Sequence, residues 1–213
     1  LRAAGAAVKA TDIVISAEYR HAFCNVRPPG HHAEHCQGMG FCFFNNIAIA
    51  ACYALQHHGL ERVAIVDFDV HHGNGTEDIV ADKPNILYCS TFQSPLYPNK
   101  SRKSQKGQLV NVALEPESGS KAFRDAVVEQ WLPELEAFKP ELIFISAGFD
   151  AHRDEFIAGL NLVEDDFAWV TEALCKLADK YAQGRIVSVL EGGYELSALG
   201  RSAVAHIKVL MEC

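Results

Sequence analysis

The segment Arg62-Val63-Ala64-Ile65-Val66 is apolar and β-branched after its first residue, and it runs without a turn signal into Asp67-Phe68-Asp69-Val70-His71-His72-Gly73. Bounded upstream by Gly59, it reads as a buried strand. Its carboxyl end carries two carboxylates and two imidazoles within seven residues. Alternate side chains of an extended chain share a face, so Asp69 and His71 are expected to project together, with Asp67 on the same side if the strand runs straight. A single polar residue at a strand end is usually a satisfied structural group. Four in sequence, followed by Gly73-Asn74-Gly75, point instead to a ligand site for zinc or a similar divalent ion.

The rest of the chain repeats this alternation. Strands are expected at 22–27, 62–68, 86–90, 109–114, 142–146 and 185–190, and helices at 2–15, 45–57, 121–138, 164–182 and 197–210. Asn45, Ser120 and Ser197 are candidate N-caps, and Gly59 and Gly184 fall where a left-handed residue ends a helix. Strands separated by helices predict a mostly parallel sheet covered on both faces, a three-layer αβα fold. With 213 residues, 49% of them apolar, the chain can build one sizeable core and reads as a single domain over 1–213. It opens and closes inside helical patterns, as a piece of a longer protein does.

A net charge of −8 argues against a general nucleic-acid or anionic-membrane binder, and no apolar run reaches transmembrane length. The basic cluster 100–106 lacks interleaved aromatics and reads as a solvated loop. Seven cysteines without a CxxC pair fit the reduced thiols of an intracellular, cytoplasmic protein.

In open parallel sheets ligands bind beyond the carboxyl ends of the strands. Four polar clusters fall there: His31-His32, Asp67 to Asn74, Ser146 to Asp150, and Glu191-Gly192-Gly193-Tyr194. A catalytic zinc keeps three protein ligands and an open position. Asp69 and His71 supply two, and Asp150, after the small Ala147-Gly148 pair, is the best third. Two carboxylates and an imidazole also suit iron(II), cobalt or manganese. His31 and His32 are the candidate bases, with Asp67 and Asn74 as their orienting partners. The histidine facing the neutral Asn74 stays unprotonated more readily and is the better base. Tyr194 follows a Gly192-Gly193 hinge and is placed to donate to an oxyanion. His57-His58, at a helix end, reads as surface, and His72 has no catalytic role.

Arg27-Pro28-Pro29-Gly30-His31-His32-Ala33, Gly40-Phe41-Cys42-Phe43, Asp67 to Gly75, Ser146 to Asp150 and Glu191 to Tyr194 together resemble the zinc-dependent histone deacetylase and acetylpolyamine amidohydrolase family, of arginase-like fold. The Arg-Pro-Pro-Gly lead-in and Asn74 resemble its class II branch. The resemblance implies Zn2+ on Asp69, His71 and Asp150, with His32 as general base and acid. It pairs His31 with Asp67 as electrostatic partner and makes Tyr194 the carbonyl-polarising group. It places Gly40, Phe41 and Tyr97, together with Gly192 and Gly193, along an acyl-lysine channel. It implies a structural K+ held by carbonyls around Asp67, Asp69 and His71, with Ser90 nearby. The implied substrate is an acetylated lysine of a protein; an acetylpolyamine deacetylase and a non-catalytic acyl-lysine module are the alternatives. The chain departs from the pattern at Phe92, where relatives carry His, and in the short basic loop 99–106. It also begins after the family's first strands and substrate-selecting rim loop.

Overall fold

The computed structural model describes residues Leu1–Cys213. Helices α1 (Arg2–Ile15), α2 (Asn46–His58), α3 (Asn74–Val80), α4 (Ser120–Ala126), α5 (Leu132–Phe138), α6 (Glu164–Tyr181) and α7 (Leu196–Glu212) alternate with six strands. The strands are β1 (His21–Cys24), β2 (Val63–Asp67), β3 (Ile86–Gln93), β4 (Leu109–Leu114), β5 (Leu142–Ala147) and β6 (Ile186–Leu190). They form one sheet in the order β1-β6-β5-β2-β3-β4, every pair parallel. The expected three-layer α/β arrangement is present.

The sequence of β2 explains the layering. Val63 and Ile65 face a core shared with Ala7, Ala10 and Val14 of α1 and Ile47, Ala50 and Ala54 of α2. Ala64 and Val66 face the opposite core, built with Phe123, Trp131, Phe167, Leu174 and Leu210. Complete burial of each Val or Ile stabilises the fold by about 1.5–3 kcal/mol, so the strand is clamped from both sides. From β2 the chain advances through β3 to β4 at one edge, while β5 and β6 extend the sheet the other way. Neighbouring β2 and β5 therefore flank the point where strand order reverses, the place where parallel sheets open a crevice.

Several boundaries differ from expectation. Asn45 caps α2 by accepting from the Ala48 N–H at 3.0 Å, and Gly59 ends it at φ +68°. Ser120 is not a cap: it lies inside α4, and its hydroxyl donates to Asp166 at 2.7 Å. At α7 the capping side chain is Glu195, which accepts from the N–H groups of Ser197 and Ala198. The helix expected at 121–138 is interrupted by a π-helical turn, Val127–Trp131. Pro133, in the first turn of α5, has no N–H and cannot continue a regular α-helical ladder, so the wider turn absorbs the break. Helix α3 is only seven residues long, too short to announce a period in sequence. No helix is long and apolar enough to cross a membrane, and all seven cysteines are free.

Candidate active site

Strand β2 stops at Asp67, so Asp69 and His71 lie beyond it in irregular backbone and not on a straight strand face. Carboxylates bend the chain there. Asp67 Oδ1 accepts from the Asp69 N–H at 3.2 Å, Asp69 Oδ1 from the His71 N–H at 2.9 Å, and Asp150 Oδ1 from the Val70 N–H at 3.0 Å. These bonds take donors that would otherwise extend the ladder. The bend still delivers Asp69 and His71 to one point, where Asp150 joins them from just past β5. One ligand atom from each of the three lies within 4.8 Å of the others, and all three residues are buried.

The composition of the cluster is compatible with a metal site. Asp150 Oδ2 is buried with no hydrogen-bond partner, although His71 Nδ1 lies 3.2 Å away. A buried carboxylate oxygen without a hydrogen bond is costly unless a cation, the His71 imidazolium or a metal ion in its place, meets it. Beneath it, a Cβ on Gly192 would lie 2.0 Å from Asp150 Oδ2 and 2.6 Å from Asp69 Oδ2. Only a residue without a side chain leaves that space open. Against burial, which disfavours charge, the carboxylates of Asp150 and Asp69 raise His71 to about 10. Two carboxylates and one imidazole are a donor set that zinc accepts, so the residues present fit the metal.

Beside this cluster the rings of His31 and His32 sit 4.1 Å apart, centroid to centroid. His31 Nδ1 lies 3.0 Å from Asp67 Oδ2, which also accepts from the Tyr88 hydroxyl at 2.9 Å. Burial opposes a charge on His31, but Asp69 and Asp67 hold it well above its ordinary value. His32 is set the other way. Its Nδ1 is 2.8 Å from Asn74 Oδ1, an acceptor, which places the proton on Nδ1 and leaves Nε2 basic. Burial first, then neighbouring His31, push His32 down to about 3, so the ring is neutral. The pair thus divides into one imidazolium and one free base.

His32, Gly40, Phe41, His71, Tyr97, Ile157 and Tyr194 line a cavity of about 300 Å³. Gly40, at φ +54°, passes directly over His32: a Cβ there would lie 2.3 Å from the His32 ring. Tyr97 meets the His32 ring edge-on at 5.1 Å, and Phe41 faces Tyr194 at 6.2 Å. Burial, then Asp69, raise the Tyr194 phenol above its ordinary value, which keeps its proton in place for donation. Gly192 and Gly193 are not among the walls. Gly192 leaves open the space under Asp150, and Gly193 takes a backbone at φ +131°. Ser90 is buried next to His72, its hydroxyl 3.3 Å from Nδ1, and Phe92 packs tilted against that ring at 4.5 Å between centroids. His72 Nε2 also pairs with Glu77 at 3.0 Å. The 100–106 residues are exposed, as a solvated loop should be, and His58 is tied to Asp12 at 2.8 Å.

Three carboxylates had no assigned role in the sequence. Glu191, wholly buried, accepts from the N–H groups of Gly30 and His31 at 2.7 and 3.1 Å and from the Ser146 hydroxyl at 3.1 Å. Burial raises it to about 7 despite the nearby His31 charge. Glu155 accepts from the N–H groups of Tyr194 and Glu195 at 2.7 and 3.1 Å. Glu34 accepts from the Asn74 amide at 2.7 Å. Only Glu191 had a signal, its place in the Glu-Gly-Gly-Tyr motif. The others act through backbone, amide or ammonium contacts across long sequence gaps.

Fold and site together define an α/β protein with a buried Asp-His-Asp cluster at the switch point of a parallel sheet. The chain belongs to the histone deacetylase family: the histone deacetylase domain model matches residues 1–210. It is 40% identical to type-2 histone deacetylase 2 of Dictyostelium discoideum, over all of this chain and 14% of that protein. It is 41% identical to the histone deacetylase-like amidohydrolase of Pseudomonas aeruginosa, covering 97% of this chain and 56% of that one. The crystal structure of the HDA15 HD domain superimposes with a TM-score of 0.91 at 36% identity, over 99% of this chain and 61% of that one. The chain thus spans less than two thirds of each of these relatives.

Proposed function

We propose that residues 1–213 form a catalytic domain that removes acetyl or similar acyl groups from lysine side chains of proteins, by zinc-dependent hydrolysis of the amide. One observation carries this reading. His71 of the buried Asp-His-Asp cluster, a neutral His32 and Tyr194 line one cavity of about 300 Å³. A metal needing an open position, a base and an oxyanion donor are the three parts that amide hydrolysis by water requires.

Asp69, His71 and Asp150 would hold the zinc. Bound there, zinc supplies Lewis acidity toward the acyl carbonyl and lowers the pKa of water. His32 accepts a proton at Nε2 from the attacking water and returns it to the departing amine, while Asn74 keeps Nδ1–H in place. His31, held cationic by Asp67, adds positive charge beside the developing oxyanion. Tyr194 donates its hydroxyl proton as a hydrogen bond to the same oxygen. Phe41 and Tyr97 provide apolar walls for the lysine methylene chain and shed water from it. A structural K+ on the carbonyls of Asp67, Asp69 and His71, beside Ser90, belongs to the same reading and to the family resemblance that suggested it.

The test is metal analysis beside turnover of an acetyl-lysine peptide and an acetylpolyamine. The reading expects one zinc per chain and preferred turnover of the peptide. Asp150→Ala should lose the zinc. Tyr194→Phe should keep it and lose activity by about 10²–10³-fold, the usual effect of removing one oxyanion donor. Full activity in Tyr194→Phe, or full metal content in Asp150→Ala, would overturn it.

A further inference from the structure

We propose that Glu34 is a positioning residue for His32, acting through the Asn74 amide to fix which imidazole nitrogen carries the proton. This rests on the reading of His32 as the base. An asparagine side chain presents an acceptor and a donor of nearly the same shape, and turning it over exchanges them. One orientation gives His32 an acceptor and leaves Nε2 basic. The other offers a donor to Nδ1, moves the proton to Nε2 and disables the base. His32 cannot enforce the choice, because a neutral imidazole can either donate or accept at Nδ1.

The far side of Asn74 decides it. Nδ2 donates to Glu34 Oε1 at 2.7 Å and also faces Met39 Sδ at 3.3 Å and the His32 carbonyl at 3.4 Å. All three are acceptors. A reversed amide would bring its oxygen against a carboxylate oxygen at hydrogen-bond distance and cost that carboxylate its amide donor. Glu34 is the one charged member of the three, and hydrogen bonds to an ionised partner are roughly twice as strong as neutral ones. Lys100 pairs with the same Glu34 oxygen from the exposed loop. A continuous line thus runs from Lys100 through Glu34 and Asn74 to His32. The requirement is specific to an amide: an aspartate at position 74 would present an acceptor whichever way it turned and would need no such partner.

Two measurements test the assignment. Two-bond 1H–15N correlations of the histidine rings, recorded on the zinc-loaded protein with His32 assigned by His32→Gln, read the tautomer without reference to turnover. Kinetics on an acetyl-lysine peptide read the consequence. The unaltered protein is expected to show Nδ1–H. Glu34→Ala should shift His32 toward Nε2–H and lower kcat by about tenfold or more, in the range that loss of an outer orienting partner produces, with KM changed less than about twofold. Glu34→Gln, whose carbonyl accepts the same N–H, should restore the tautomer and most of kcat. In an Asn74→Asp background, where a second carboxylate oxygen faces Glu34, Glu34→Ala should leave kcat unchanged or raise it, a change of sign that generic damage to the loop would not produce. An unchanged tautomer in Glu34→Ala, or an equal loss of kcat in both backgrounds, would overturn the proposal. If the unaltered protein hydrolysed neither substrate while Glu34→Ala still moved the proton, the functional reading would fall and the positioning role would stand.

Discussion

Gly192 lies against Asp150 so closely that a Cβ on it would be 2.0 Å from the carboxylate Oδ2, and its own N–H donates to Asp69 Oδ2 at 2.8 Å. One residue therefore serves both carboxylates of the cluster, the first by lacking a side chain and the second through its backbone. Gly192→Ala should displace Asp150 and Asp69 and weaken zinc binding on the order of 10- to 100-fold, as disturbance of supporting groups does. Competition with a chromogenic chelator measures this. Affinity equal to that of the unaltered protein would mean that the carboxylates yield without losing their geometry.

Glu155 holds the Tyr194 segment from the opposite side. The residue is 9% exposed, and its carboxylate accepts from the N–H groups of Tyr194 and Glu195. Glu155→Ala leaves both donors without a partner, at about 1–3 kcal/mol of stability for such groups. It also frees the backbone that aims the phenol. Denaturant unfolding should show that loss, and kcat should fall about tenfold with zinc content intact. Glu155→Gln should recover much of both. A variant that unfolds earlier yet turns over normally would separate the stability role from the aim of Tyr194.

The parts legible in the sequence were those whose chemistry or periodicity is local. The buried apolar run of β2, the asparagine cap at Asn45 and the clustering of Asp69, His71 and Asp150 at strand ends all follow from residue type and order. The straight-strand account of Asp69 and His71 failed for a reason that order does not reveal. Carboxylates of Asp67, Asp69 and Asp150 capture the backbone donors of 69–71 and turn the chain. Tyr88 was equally hidden: it reads as one more aromatic in an apolar strand, yet its hydroxyl reaches Asp67. Glu34 and Glu155 meet their partners across 40 and 39 residues. Such contacts leave no spacing pattern, because the fold sets them and not the chain.

Metal should be a structural as well as a chemical component. The folded chain gathers Asp69, His71 and Asp150, and an unfolded chain does not. Zinc at a thousandfold excess over its dissociation constant would stabilise the fold by about 4 kcal/mol. For a domain of this size each kcal/mol moves the midpoint by about 2–4 °C. Chelation should therefore lower Tm by on the order of 10 °C, and Asp150→Ala should abolish the response. An equal chelator effect in Asp150→Ala would place the stabilising metal elsewhere.

His206, on α7, gives the fold its own acid sensitivity, separate from the site. It is fully buried among Phe23, Phe68 and Phe149, with Nδ1 2.6 Å from the Thr171 hydroxyl and Nε2 2.9 Å from that of Ser188. Thr171 already donates to the Phe167 carbonyl, so it accepts from Nδ1–H, and the Ser188 hydroxyl donates to Nε2. Burial lowers His206 to about 3. Above the ordinary histidine value near 6.5 the folded and unfolded chains are both neutral here, and the contribution to stability is whole. As pH falls below that value the unfolded chain takes up a proton that the folded one refuses. Stability then declines by about 1.4 kcal/mol per pH unit until the folded value near 3 is reached. His206→Gln, which keeps polar atoms for Thr171 and Ser188 without a titrating ring, should be less stable at pH 7.5 but lose stability less steeply between pH 6 and 4. Denaturant unfolding across that range measures both slopes, and parallel slopes would assign the acid sensitivity to other groups.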